Sequence, residues 1–580
     1  MTFFSLYHEG KGKKKGLLPA VCGNQFLQHI QKFACKFNIW LQPSDSRLKP
    51  LCVSTTRGLL HRTCNNPIPA SLFTLPYFLF SRYNRKRNLI KGGLTMLVHH
   101  LLSFGEPDRL AVFDQGRSYT YLDLRTLVRQ CRNALYAQGI RQQTRVAIFS
   151  RKTVHYIVAY LALASLGAIA VPINSQLSQR EVGFILRDSE SSLLLYTGNP
   201  FAWNALEATA DLEESIRQLP LDGYLDSPAP EAPSLSETFT DQEPFLIIYT
   251  SGTTGRPKGA LLSHANVTCN ARQFQEILRI TPEDRVLAVL PLYHCFCLIT
   301  ALINPLLVGA SIFLYDSVNL KDIVHFIRDQ QLTVLYLVPS LCSLLVRRGQ
   351  PEDLASVRYT VVGGTAMPLS LLQAFEARYH QPIIEGYGLS EASPVVSVNP
   401  PEKVKSGTIG LPLPGIQVKV VDPEGREMPQ GSRGELLVKG PNVMLGYWHL
   451  PEATADALVD GWLHTGDVVV EDEEGYLRIV DRLKDMIISM GENIYPREIE
   501  ELVYAYPGID EAAVIGIPDK LRGQAGCCFY TVREGETVDP RALKKYLQQN
   551  LAIYKVPRVF RQLENMPHLA TGKIAKKELK

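Results

Sequence analysis

The chain has 580 residues, 46% of them hydrophobic and 20% charged, ordinary figures for a globular protein of more than one domain. Its net charge of +4 is uneven: residues 1–95 carry 15 Lys and Arg against only Glu9 and Asp45, a surplus of +13 that leaves −9 for the rest. So acidic a body excludes a general nucleic-acid binder, and eleven cysteines without bridge or metal-ligand spacing exclude a disulfide framework and point to a reducing, cytoplasmic setting.

Residues 1–95 combine scattered prolines, four of the cysteines and the basic cluster Arg82, Arg85, Lys86, Arg87. They read as a basic extension outside the folded body, disordered or not native: sequence upstream of a start at Met96, an organelle transit peptide, or a membrane-surface anchor through the apolar run 68–80. From Thr120 on, a helical pattern over 121–138 alternates with β-rich runs such as 145–149, the signature of βα units around a sheet covered on both faces. Residues 156–173 are long and apolar enough for a membrane span on length alone, but Gly167 and Pro172 punctuate them, so the reading is helix, turn and buried strand. The acidic, Pro/Ser-rich stretch 200–243 gives way to the apolar run 245–249, a predicted strand.

At the end of that strand, where α/β folds place ligands, stands YTSGTTGRPKG, residues 249–259, with five hydroxyl side chains, three glycines and one lysine. It does not match the P-loop pattern G-x-x-x-x-G-K-[ST], because Arg256 and Pro257 separate Gly255 from Lys258. Glycines let a backbone approach a polyanion, hydroxyls and amides donate to its oxygens, and lysine offsets its charge. On the residues alone an ordinary Ser/Thr/Gly hairpin turn stays open beside the phosphate grip. The stretch 289–315, interrupted by His294, Asn304, Pro305 and Gly309, reads as core. Past Gly410 the pattern changes to short strands with glycine turns, 417–421 and 434–439 around Asp422-Pro423-Glu424-Gly425, a smaller β-rich subdomain. After Asp481-Arg482-Leu483-Lys484 a fresh βαβ-like region begins. The expected architecture is therefore α/β: a large domain over 96–483 of βα-layered subdomains plus a β-rich one, then a small, mobile α+β domain over 484–580, with a hinge at Lys484.

The order of motifs carries further meaning. After YTSGTTGRPKG come PLYHCF (291–296), GGTAMP (363–368), EGYGLSEASP (385–394), GWLHTGD (461–467), DRLKDMIISMGENIYP (481–496) and TGK (571–573). In this order and spacing, from about residue 100 to the C-terminus, the chain resembles the adenylate-forming superfamily of acyl-CoA synthetases, luciferases and peptide-synthetase adenylation domains, and within it the fatty acyl-CoA synthetases. The resemblance implies activation of a carboxylic acid by ATP and Mg²⁺ through an acyl-AMP, then transfer of the acyl group to CoA. It implies a phosphate cradle of Thr250, Ser251, Gly252, Thr253, Thr254, Gly255 and Lys258, with Glu391 and Thr254 toward the metal. Gly363, Gly364 and Thr365 with Gly386, Tyr387, Gly388, Leu389 and Ser390 would surround the nucleotide, Tyr387 stacking on adenine. Asp467 would accept hydrogen bonds from the ribose hydroxyls, with Arg482 as its partner, and Lys484 occupies the hinge position. Lys573 resembles the lysine that bridges the acyl carboxylate and α-phosphate, and His294 a gate beside the pantetheine channel, whose lining loop includes Gly491 and Glu492.

The block Leu292-Tyr293-His294-Cys295-Phe296 has no Asp to hold an α-ammonium, which argues against an amino acid substrate. The apolar stretch 297–303 suits either a tunnel for an alkyl chain or plain core. The expected partners are a fatty acid, with aryl acids behind it, and CoA, with no nucleic acid; an acyl-carrier-protein acceptor, peripheral membrane contact and a homodimer stay open.

Overall fold

A computed structural model describes residues 96–197, 216–221, 229–250, 257–316, 322–490, 492–569 and 573–579. The expectations for residues 1–95, for Ser251 to Gly255, for Gly491 and for Thr571-Gly572 lie outside the described residues.

Two large sheets form the body. One has nine strands, whose six central members, Leu110–Asp114, Ser311–Leu314, Arg285–Ala288, Val334–Leu337, Tyr359–Val362 and Ile383–Gly388, pair in parallel. The other has seven, with a parallel set that includes Arg145–Phe149, Ile169–Pro172 and Pro244–Thr250, then the antiparallel strands Lys258–Ser263 and Gly446–Tyr447 at one edge. Strands such as Ile169–Pro172, Ser311–Leu314 and Val334–Leu337 are buried at every position, as parallel strands covered on both faces must be.

The long apolar stretches 156–173 and 289–315 both fall in the core. Helix Val154–Leu166 is capped by Thr153, whose side chain accepts from the Tyr156 amide, and ends at Gly167, whose φ of 67° favours glycine. Twelve of its thirteen residues are buried, so an all-round apolar helix here means an interior one; at about 20 Å it is too short for a bilayer. No helix among the described residues is long and apolar enough to cross a membrane. Residues 295–308 form one helical stretch with a π-helical middle, Leu298–Ile303, ending at Gly309. Leu298, Ile299, Thr300, Ala301, Leu302 and Ile303 are all fully buried against the main core. These side chains pack near helix His264–Leu278 and strand Arg285–Ala288, as the core reading of 297–303 expects.

The β-rich subdomain is an antiparallel sheet of Gln417–Val421, Arg433–Lys439, Leu458–Val459, Trp462–Glu471 and Leu477–Arg482. The chain leaves that sheet at Arg482 and enters a separate one at Ile487–Ser489. The small lobe pairs Ile509–Asp519 antiparallel with Gly523–Val532, and helix Pro540–Asn550 returns the chain to a parallel strand, Val559–Gln562, a true βαβ unit. It has its own apolar interior, including Ile499, Val503, Val514, Tyr530, Leu543 and Leu547. The α/β architecture with a small α+β C-terminal domain is therefore as expected.

Candidate active site

Strands Pro244–Thr250 and Lys258–Ser263 pair antiparallel, and Thr250 and Lys258 face each other in register. Gly259 is required beside it, since a Cβ there would lie 2.7 Å from the Ile247 side chain. Across the same strand runs Gly446–Tyr447, and the Trp448 amide donates to the Gly259 carbonyl at 2.7 Å. The Lys258 ammonium stands 5.0 Å from the centroid of the Tyr447 ring, a cation–π distance.

Gly363 to Thr365 form the turn after strand Tyr359–Val362, with Gly364 at φ 83°. A Cβ on Gly363 would sit 3.3 Å from both the Gly386 carbonyl and the Phe296 ring, so the glycine turn presses directly on the strand carrying Gly386 and Tyr387. The two blocks are tied again where the Met367 amide donates to buried Glu385 at 3.3 Å. Burial pushes that carboxyl up to about 7, with nearby Arg497 opposing the shift. Gly388 has no room for a side chain: a Cβ would fall 2.1 Å from the Pro394 carbonyl oxygen. It leads through Leu389 into the short turn Ser390–Ala392, which carries Glu391. The Tyr447 hydroxyl donates to Glu391 Oε1 at 2.8 Å, and the Met444 amide donates to the Glu391 carbonyl at 2.8 Å.

Asp467 and Arg482 face each other by register on neighbouring antiparallel strands. Arg482 Nε lies 2.7 Å from Asp467 Oδ1, and the Tyr387 hydroxyl donates to Oδ2 at 2.6 Å. Asp467 is buried, so these bonds offset the loss of water around its charge. Burial, then the neighbouring Asp467 charge, holds the Tyr387 phenol well above its ordinary range. Glu435 braces the turn: its carboxylate meets His464 Nδ1 at 3.0 Å and accepts from the Gly466 amide at 2.9 Å.

The structure delivers Lys573, the end of the small lobe, into this group. Burial lowers its ammonium to about 8, the charges of Arg482 and Lys484 push the same way, and those of Asp467 and Glu391 oppose. His294 caps the helical stretch after it, its Nδ1 accepting from the Phe296 amide at 3.4 Å. Burial first, and then the Lys573 charge, push it down to about 4. Residues 294, 391, 467, 482 and 573 thus share one electrostatic environment. Lys484 sits in the exposed turn between the lobes. Glu492 does not join them: it lies on an exposed hairpin beside Met490, which is 68% exposed and donates its amide to Arg522 within the small lobe.

Among the described residues, no group of three or more His, Cys, Asp or Glu side chains comes together to hold a metal unaided. A magnesium ion carried by nucleotide phosphates needs only one or two carboxylates. The half-buried Glu391, fixed by a tyrosyl hydroxyl beside a lysine, fits that need. The sequence reasoning missed Tyr447, Glu435 and Glu385. Tyr447 and Glu435 are lone residues that only strand pairing brings to the site, whereas Glu385 opens the EGYGLSEASP block and was given no role there.

Known proteins resemble this chain over most of its length. The profile of the AMP-binding enzyme family matches residues 104–448, and that of the AMP-binding enzyme C-terminal domain matches residues 498–573. A feruloyl-CoA synthase of Amycolatopsis is 36% identical over 82% of this chain and 96% of its own. A long-chain-fatty-acid–CoA ligase of Escherichia coli is 33% identical over 82% and 91%. The crystal structure of ATP-bound MatB from Rhodopseudomonas palustris superposes with a TM-score of 0.78 at 30% identity, covering 83% of this chain and 98% of that one. The chain therefore belongs to the AMP-binding enzyme family, the superfamily of adenylate-forming acyl-CoA synthetases.

Proposed function

We propose that the protein activates a medium- to long-chain fatty acid with ATP and passes the acyl group to CoA. The observation that carries this reading is the convergence of Lys573 with Glu391, Asp467 and Arg482, one residue from each of four separated motifs. In the first half-reaction the acid's carboxylate attacks the α-phosphate and pyrophosphate leaves. The charge that grows on the phosphoryl oxygens needs donors already in place. Lys573 supplies an ammonium between carboxylate and α-phosphate, and Lys258 and the loop 251–256 meet the outer phosphates. Asp467 accepts once from Tyr387 and twice from Arg482, which leaves about one of a carboxylate's roughly four acceptor sites for a ribose hydroxyl. Magnesium, when bound at Glu391, offsets phosphate charge. His294, neutral near pH 7, stands beside Lys573 without adding a second cation.

For the second half-reaction the small lobe turns about Lys484, withdrawing Lys573 and bringing in the hairpin with Met490, Gly491 and Glu492 for the CoA thiol. The fatty acid reading rests on the family pattern and on a fourth block without a counter-charge. An aryl acid is the second reading, favoured by Phe296, which packs edge-on to Tyr336 and against the Gly363 turn. ATP/pyrophosphate exchange over a panel of alkyl and aryl acids tests both, and repeating it with CoA or an acyl carrier protein identifies the acceptor. Exchange with no acid would overturn the assignment.

A further inference from the structure

Glu391 rides on a turn of three residues, Ser390–Ala392, too short to hold a carboxylate still by its own backbone bonds. What fixes it comes from 56 positions downstream. The segment 444–448 is anchored on three sides. Its Met444 amide binds the Glu391 carbonyl, and its strand pairs Gly446 with Leu261 and Tyr447 with Ala260. The Tyr447 amide donates to Thr454 Oγ1 at 2.9 Å. The Tyr447 side chain spans from Lys258, whose ammonium stands over its ring, to Glu391, which accepts its hydroxyl.

We infer that Tyr447 is a positioning residue: it fixes the Glu391 carboxylate in the orientation that receives the divalent cation and registers it against the lysine of the phosphate loop. The inference rests on the adenylation reading above. It concerns a tyrosine whose hydroxyl is spent on Glu391, so the effect of removing that hydroxyl passes through Glu391. Ligating carboxylates held by hydrogen bonds of this kind lose roughly 10–100-fold in metal affinity when the outer partner is removed.

The test uses Mn²⁺ as the paramagnetic stand-in for Mg²⁺, titrated by electron spin resonance into the full-length protein saturated with α,β-methylene-ATP, so that no turnover enters the measurement. Tyr447→Phe keeps the ring under Lys258 and removes only the hydroxyl. The expected result is Mn²⁺ binding weakened about tenfold or more, with affinity for the analogue in EDTA and the melting temperature unchanged. Glu391→Gln should weaken Mn²⁺ comparably, and adding Tyr447→Phe to it should cost little further, because residues acting through one contact are not additive. Wild-type Mn²⁺ affinity in Tyr447→Phe, or full additivity in the double variant, overturns the inference. If the wild-type protein binds Mn²⁺ with the analogue no better than the analogue does alone, the adenylation reading itself fails, a result distinct from the other two.

Discussion

Replacing Lys573 by alanine separates the two half-reactions. The lysine is held at about 8 by burial and by Arg482 and Lys484. At pH 7 about ten ammonium forms exist for each neutral one, at pH 9 about one for ten. Only the charged form can bridge two anions. Loss of one preplaced stabiliser of developing charge is worth roughly 2.7–4 kcal/mol, or about 100–1000-fold in rate. Lys573→Ala should therefore slow acyl-adenylate formation by that range, measured as pyrophosphate release in single turnover. Thioester formation from supplied acyl-AMP should stay near wild type, since the proposed rotation withdraws Lys573 before that step. The pH profile gives an independent reading: kcat/KM for adenylation in the wild type should fall above about pH 8, reporting the free enzyme. Lys573→Arg, which cannot deprotonate in that range, should lose this limb while keeping part of the rate. Equal loss in both half-reactions, or an unchanged alkaline limb in Lys573→Arg, would refute the role.

Asp467→Asn removes the counter-charge of Arg482 and an acceptor of Tyr387; hydrogen bonds to a charged group are worth about 1.5–3 kcal/mol, so ATP affinity by calorimetry should fall roughly 10- to 150-fold. Gly388→Ala drives a Cβ to 2.1 Å from the Pro394 carbonyl; with about 1–3 kcal/mol of overpacking strain at the turn that carries Glu391, pyrophosphate exchange should drop at least about tenfold. Glu385 is raised to about 7 in the fold, so its contribution is fully present below its unfolded value and lost as pH rises through 7. Glu385→Gln, which mimics the protonated acid, should thus melt higher than wild type at pH 8, with the difference closing toward pH 5; a constant difference would contradict the buried-acid account.

The chemical blocks were legible in the sequence because adenylation concentrates unusual residues in short runs: glycines with hydroxyls at 249–259, a glycine pair at 363–364, a carboxylate after GYG at 391. Alternation of apolar runs and glycine punctuation was enough to separate the 156–173 stretch into helix and strand. What escaped depends on register. Tyr447 reaches Glu391 because Gly446 pairs with Leu261, and Glu435 reaches His464 across a sheet; neither spacing repeats along the chain. The 297–303 run was ambiguous for a different reason, since an apolar helix has the same composition whether it fills an interior or lines a void. Tyr387 was expected at the adenine face, and the structure adds that its hydroxyl donates to Asp467, a contact across 80 positions.

The small lobe keeps its apolar interior to itself, with Ile499, Val503, Leu543 and Leu547 enclosed by its own strands and helices. Damage is thereby compartmented. A cavity cut among those side chains lies outside the core that packs strands Pro244–Thr250 and Lys258–Ser263, but within the lobe that carries residue 573. Inherited or engineered lesions in the last hundred residues would then yield a protein that still grips nucleotide and has lost the means to use it.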